Sequence, residues 1–275
     1  MLKQTRVSII KPTLTILLLC VACVEVIAQK LPNVQKEGFR APVNIKIDGK
    51  TNEWGDSFKA YNTNTEVFYT IANDDDNLYL VIQATNADVI NKMARGGITF
   101  TINHGTGKND ADPVTIYFPA LSDKDKVVIG QSVSKKPTET HDGAIIQKQT
   151  DSLIAITNKL FATRSKLIKV KGIKSITDTL LSIYNEQNIE EKAFVNSKRA
   201  CTFELAIPLK YLPVSLANPK PFAYNITING ANVGGSAIVV NSVTGMAVAF
   251  RTGDASQLLR YSTDFWSEYT LAKSK

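Results

Sequence analysis

The chain has 275 residues, 44% apolar and 21% charged, an ordinary balance for a folded globular protein. Its formal charge of +7 is carried by dispersed residues, with modest basic clusters over 124–136 and 166–174. A nucleic-acid surface would want a basic stripe interleaved with aromatics; that pattern is missing, which excludes nucleic acid as a partner.

Residues 1–28 read as a signal peptide. Lys3, Arg6 and Lys11 form a positive head, Leu14 to Val24 an apolar stretch, and Val26-Ile27-Ala28 offers tolerated residues where a signal peptidase reads. The pattern predicts cleavage after Ala28 and export, to the periplasm or beyond. A lipoprotein anchor at Cys23 is the alternative, but Cys20 stands where such a signal wants Leu. The apolar run is shorter than the roughly 20 residues a membrane span needs, and no later segment is long enough. The leader holds three of the 32 Lys/Arg and one of the 25 Asp/Glu, so removing it leaves +5. Of three cysteines only Cys201 then remains, so no internal disulfide is available; it opens a predicted strand and reads as buried.

Residues 29–43 form a lead-in, and 44–272 read as a single domain. Ile45 and Ile47 alternate like a short strand, and Asp48-Gly49 turns the chain. Trp54 then either offers a face to a pyranose ring or plugs one end of a core. Val67, Tyr69 and Ile71 alternate, Asn73-Asp-Asp-Asp-Asn77 turns, and Leu78, Leu80 and Ile82 resume, which predicts a hairpin. The turn's carboxylates, Asp74 and Asp76 above all, suit calcium, although the spacing is not that of a helical calcium loop and a plain polar turn explains it too.

Asn86 to Arg95 predicts a short helical turn stopped by Gly96-Gly97. Ile98, Phe100 and Ile102 form a half-buried strand, and Val114, Ile116 and Phe118 its return. Between them lies a polar loop, His104 to Pro113, longer than most hairpin connections. Long loops at the ends of a sandwich often carry binding, so Asn103, His104, Asn109 and Asp110, with Tyr117 on the returning strand, are the candidate ligand residues.

Residues 120–196 read as an elaboration of that domain. Lys126 to Gln131 predicts a strand. Leu153, Ile156, Leu160 and Phe161 fall at helical spacing, so Asp151 to Arg164 predicts an amphipathic helix packed on a sheet. Leu167, Ile168 and Val170 predict a strand, and Thr179 to Val195 two more. Phe203, Leu205 and Ile207 alternate until Pro208 removes a ladder donor. Strands follow at Phe222 to Ile228, at Met246 to Phe250, and around Phe265-Trp266, Tyr269 and Leu271. Many strands joined by polar turns argue an antiparallel β-sandwich.

Asp48-Gly49, Glu53-Trp54, the Asp-rich turn before Leu78-Tyr-Leu80, the Glu204-x-x-Ile207-Pro208 segment and the closing Phe265-Trp266 resemble, in that order, family 9 carbohydrate-binding modules and their DOMON-like relatives. The resemblance covers about residues 44–118 and 200–272. It implies an antiparallel sandwich, a usually structural role for Trp54, and non-catalytic recognition of a glycan. Members clamp a terminal sugar between aromatic rings. Trp54 and Trp266 both fall in framework segments here, leaving Tyr61, Tyr117 and Tyr261 as substitutes.

Catalysis finds little to use. His104 and His141 are the only histidines and fit no metal spacing, and no G-x-S-x-G elbow occurs. Glu53 and Glu204 are the pair that glycoside hydrolysis would use, but both read as framework, and an outward Glu on a strand is usually solvated or paired with Lys. Two non-catalytic alternatives stand beside glycan binding. One is a structural or protein-interaction sandwich attached to a surface glycan-processing assembly. The other is a haem carrier, for which His104, His141, Met93 and Met246 are unpaired by pattern.

Overall fold

In the computed structural model, residues 30–55, 58–231, 238–240, 247–249 and 259–274 are described. The segment read as a signal peptide, together with Met246 and Phe250, lies outside them. Two antiparallel sheets carry the fold. The first takes β1 (Ala60–Asn62), β2 (Val67–Asn73), β3 (Asn77–Ala84), β8 (Glu190–Val195) and β9 (Cys201–Pro208), in the order β1-β2-β3-β9-β8. The second takes β4 (Ile98–Ile102), β5 (Val114–Phe118), β6 (Leu167–Lys171), β7 (Leu180–Ser182), β10 (Phe222–Ile228) and β13 (Thr263–Tyr269), in the order β13-β10-β4-β5-β6-β7. A separate pair joins β11 (Ile238–Val240) to β12 (Ala247–Ala249). The chain is an antiparallel β-sandwich, as its alternating patterns predict.

The core lies between the sheets because every long strand buries one phase of its alternation. Tyr69, Ile71, Leu80 and Ile82 of the first sheet, and Phe100, Ile116, Tyr224 and Ile226 of the second, belong to one continuous apolar cluster. At its centre the Tyr69 and Tyr224 hydroxyls meet at 3.0 Å, and Tyr69 Oη accepts the Gln35 N–H at 2.9 Å. Each buried hydroxyl thus has a partner. Cys201 is wholly buried on the same face, and burial pushes its thiol pKa up, as befits a structural residue.

Among the described residues, three α-helices accompany the sheets. The predicted helical turn is α1 (Ala87–Gly96), capped by Asn86, whose side chain accepts the Asp88 N–H at 2.9 Å. Gly97, at φ +69°, ends it in a conformation that suits glycine. The expected strand at Lys126–Gln131 is instead part of α2 (Asp123–Ser134). Ser122 and Asp125 decide it: the Ser122 hydroxyl accepts the Asp125 N–H at 3.2 Å and donates to the Asp125 carboxylate at 2.6 Å. That cap, with Ile129 and Val133 buried one turn apart, overrides the β-branched run Val127-Val-Ile129.

The predicted central helix is longer than the sequence implies. α3 (Gly143–Arg164) begins at an Asp142 cap, eight residues before the expected start. Its buried seam runs through Thr157 and Phe161, while Ile156, expected on that stripe, is exposed. Asn158 on α3 bonds both polar groups of Val195, accepting its N–H at 2.8 Å and donating to its carbonyl at 2.9 Å. This supplies the partner that an edge strand such as β8 otherwise lacks. The two strands expected within 179–195 are β7 and β8.

A strap, residues 39–55 with Phe58, crosses the outer face of the first sheet. Phe39, Ala41, Ile45, Ile47, Trp54 and Phe58 pack there over Ala72, Tyr79, Val81 and Ala206, a second apolar cluster on the opposite side from the core. The expected strand at Ile45–Ile47 forms no ladder. Its alternation comes from an extended segment lying with one side against a sheet face, which gives the same period as a paired strand.

Candidate functional site

The loop singled out from sequence is closed upon itself. Asp110 Oδ2 accepts the His104 N–H at 2.7 Å and meets His104 Nδ1 at 2.8 Å, while Oδ1 accepts the Asp112 N–H at 3.1 Å. These bonds hold the Asp110 carboxyl down at about 2. Asn103 is buried and donates to the Gly107 carbonyl at 2.6 Å, and Asn109 is exposed at the loop's tip. Tyr117 does not join them. It sits towards the far end of β5, opposite Thr99 and against Gly97. The five candidates are therefore not one site.

The acidic turn is similarly committed. Asp74 Oδ1 accepts the N–H groups of Asp76 and Asn77 at 2.8 and 2.6 Å, and Oδ2 accepts the Tyr79 hydroxyl at 2.6 Å. Burial alone would raise its pKa, but these donors outweigh that and lower it. Asp75 pairs with Arg40 at 2.9 Å, and Asp76 is exposed. Among the described residues no group of three or more His, Cys, Asp or Glu is placed to hold a metal ion.

Glu204 departs furthest from expectation. It is wholly buried on β9, on the face that the strap covers, rather than solvated or paired with Lys. Its Oε1 accepts the Trp54 indole N–H at 2.7 Å, and its Oε2 accepts the N–H groups of Asp48 and Gly49 at 2.9 and 2.6 Å. Burial pushes its pKa up to about 7 against those three donors. Trp54, edge-on to Tyr79 with ring centroids 6.0 Å apart, is thereby fixed as framework. One carboxyl group pins both Trp54 and the Asp48-Gly49 bend to the sheet.

That latch shapes a groove of about 390 Å³ beside it, between the strap and the β8–β9 turn. Its floor is Gln83 and Thr202, the middle of one rung of the first sheet. Tyr61, Phe68, Gln83, Thr202 and Phe194 stand opposite one another across β1, β2, β3, β9 and β8, all on the outer face. Gln83 Nε2 donates to Thr202 Oγ1 at 2.9 Å in the middle of the rung. Phe194 is the wall on one side. On the other, Phe58 lines the groove and packs on Phe68 at 5.7 Å, which packs on Tyr61 at 4.7 Å. Asn52, Asn196 and Ser197 complete the rim. The volume is that of a small-molecule cleft, about 300–1,000 Å³, with apolar walls and few convergent polar groups.

No protein-family model matches the chain, and no curated protein matches it. Among solved structures, a carbohydrate-binding module of family 9 from Caldicellulosiruptor kristjanssonii, in complex with glucose, is similar at 11% identity. The likeness covers 87% of this chain and 97% of that one, with a TM-score of 0.37. The strand pairing given above, not this likeness, establishes the sandwich.

A larger cavity, about 800 Å³, opens at the other end of the same face, among Asp76, Asn188, Glu190, Lys46 and Lys210. Its aromatic, Tyr79, is buried with its hydroxyl spent on Asp74, so it offers mixed charge without an aromatic wall. No described helix is long and apolar enough to cross a membrane. The aromatic rung was open to discovery from sequence through one signal: Phe68 and Phe194 occupy the outward phase of their strands, where polar residues are the rule.

Proposed function

We propose that this is an exported, non-catalytic protein that binds a glycan in the groove between the strap and the β8–β9 turn. The observation that carries this reading is the Gln83–Thr202 pair lying between the aromatic walls of Phe58 and Phe194. Sugars present apolar C–H faces and rings of hydroxyls. Aromatic rings suit the first, and amide and hydroxyl groups, directly or through water, suit the second. Among the described residues no Asp or Glu lines the groove, where glycoside hydrolysis would need paired carboxylates. Export is proposed from the leader-like pattern of residues 1–28.

The test is a glycan-array screen of the purified protein and its Phe194→Ala and Gln83→Ala variants, each checked for folding by circular dichroism. A defined hit weakened at least about ten-fold by either substitution supports the site. The hit should survive a chelator, because the oxygens of Asp74 are already spent on N–H and hydroxyl donors. No hit from folded protein would sink the glycan reading and favour a protein partner. A hit that both variants retain would move the site elsewhere.

A further inference from the structure

Resting on the groove as a glycan site, we propose that its ligand is an anionic saccharide, one bearing a carboxylate or sulfate that lies between Lys50 and Lys198. The charge of the described lining is one-sided: both lysines line the groove, and among the described residues no acidic residue does. They stand on opposite banks, Lys50 on the strap and Lys198 in the β8–β9 turn. A cleft walled by low-dielectric side chains concentrates the field of such charges on whatever enters it.

Both ammonium groups are held near the ligand space and remain available. Lys50 Nζ stands 5.6 Å from the centroid of the Phe194 ring, so an anion drawn to it arrives at the aromatic wall. Its present partner is Asp48, at 3.0 Å, with side chains 46% and 36% exposed. An exposed pair of this kind contributes little, and an incoming carboxylate or sulfate can take over the ammonium. Even with Asp48 counted, the described lining keeps a net positive charge. Lys198 makes no ion pair among the described residues. Its backbone is fixed instead, because Asn196 Oδ1 accepts the N–H groups of Lys198 and Ala200, both at 3.0 Å. The turn therefore presents Lys198 on a set backbone while its side chain stays exposed.

Titration calorimetry with matched pairs tests this. One pair is a uronic-acid oligosaccharide and its carboxyl-reduced counterpart; the other is a sulfated oligosaccharide and its desulfated counterpart. The acidic member of at least one pair should bind on the order of ten-fold more tightly, and the preference should fall with added salt. Which pair responds tells carboxylate from sulfate. The Lys50→Gln/Lys198→Gln double variant should lose the preference, binding the acidic and neutral members of each pair alike. Equal binding within both pairs would overturn the anionic ligand and leave the groove reading standing. A preference that survives the double variant would also overturn it, because the charge would then be read elsewhere. Binding of no sugar by folded protein would overturn both.

Discussion

At the scale of single residues, Glu204 has the most consequence per atom. Its two oxygens satisfy three N–H donors, one of them the indole of a buried tryptophan. Removing the carboxyl leaves those donors facing a void, and each buried unsatisfied group costs about 1–3 kcal/mol. Glu204→Ala should therefore lower unfolding stability by on the order of 3 kcal/mol or more in urea titrations. Glu204→Gln should cost less, since one carbonyl oxygen remains, though its amide must turn NH₂ towards a donor. Trp54→Phe keeps most of the ring but strands Oε1, and should cost about 1–3 kcal/mol. A Glu204→Ala variant as stable as the parent would mean the latch holds nothing.

At the scale of elements, the strap decides the groove, and a pair of glycines tests how. Gly49 (φ +80°) and Gly55 (φ +68°) both occupy the left-handed region, where an added Cβ costs about 1–2 kcal/mol. They differ in surroundings: a Cβ at Gly49 would fall 2.6 Å from Phe194 Cβ, whereas one at Gly55 meets nothing within 4 Å. Gly49→Ala should lose distinctly more stability than Gly55→Ala by thermal melting, and it alone should weaken glycan binding by pushing the strap off Phe194. Equal losses would reduce the effect to backbone strain. The strap also marks where sequence reading runs out. Ile45 and Ile47 have a strand's period because they lie on a sheet face, and alternation cannot tell a covering segment from a paired one. The Val67–Ile82 hairpin and Phe203–Ile207 were legible because one phase meets a core. The Lys126–Gln131 helix was not, since its cap precedes a β-branched run. The groove was harder still, because its rung gathers residues from five strands far apart in the chain, and only pairing register brings Phe68, Gln83, Thr202 and Phe194 into line.

At the scale of the whole molecule, the buried carboxyls set how stability answers to pH. Besides Glu204, the sandwich buries Glu191 on β8; burial pushes its pKa up to about 8, against the charges of Lys192 and Lys166. Both groups have folded pKa values above the ordinary 4.5, so the folded state binds protons that the unfolded state has released. Their contribution is complete below about 4.5 and is lost as pH rises through about 7 for Glu204 and about 8 for Glu191. Asp74, Asp110 and Asp125 act in the opposite sense. Their pKa values lie below the ordinary 3.8, so what they add is present above that value and lost as pH falls through the folded pKa. Asp125 owes its lowering to the Ser122 hydroxyl and then to Arg164. The two sets leave a mildly acidic window in which both are satisfied. Urea midpoints taken across the range should peak near about pH 4–5 and decline towards about pH 8, by at most roughly 1.4 kcal/mol per pH unit for each raised group. Glu191→Gln should flatten the upper part of that decline and raise stability at about pH 8 relative to the parent, because a neutral amide needs no proton to stay buried. A parent protein equally stable at about pH 5 and pH 8 would show that Glu191 ionises in the folded state without cost, and that its burial is not the closed apolar setting that β8 and the end of α3 otherwise describe.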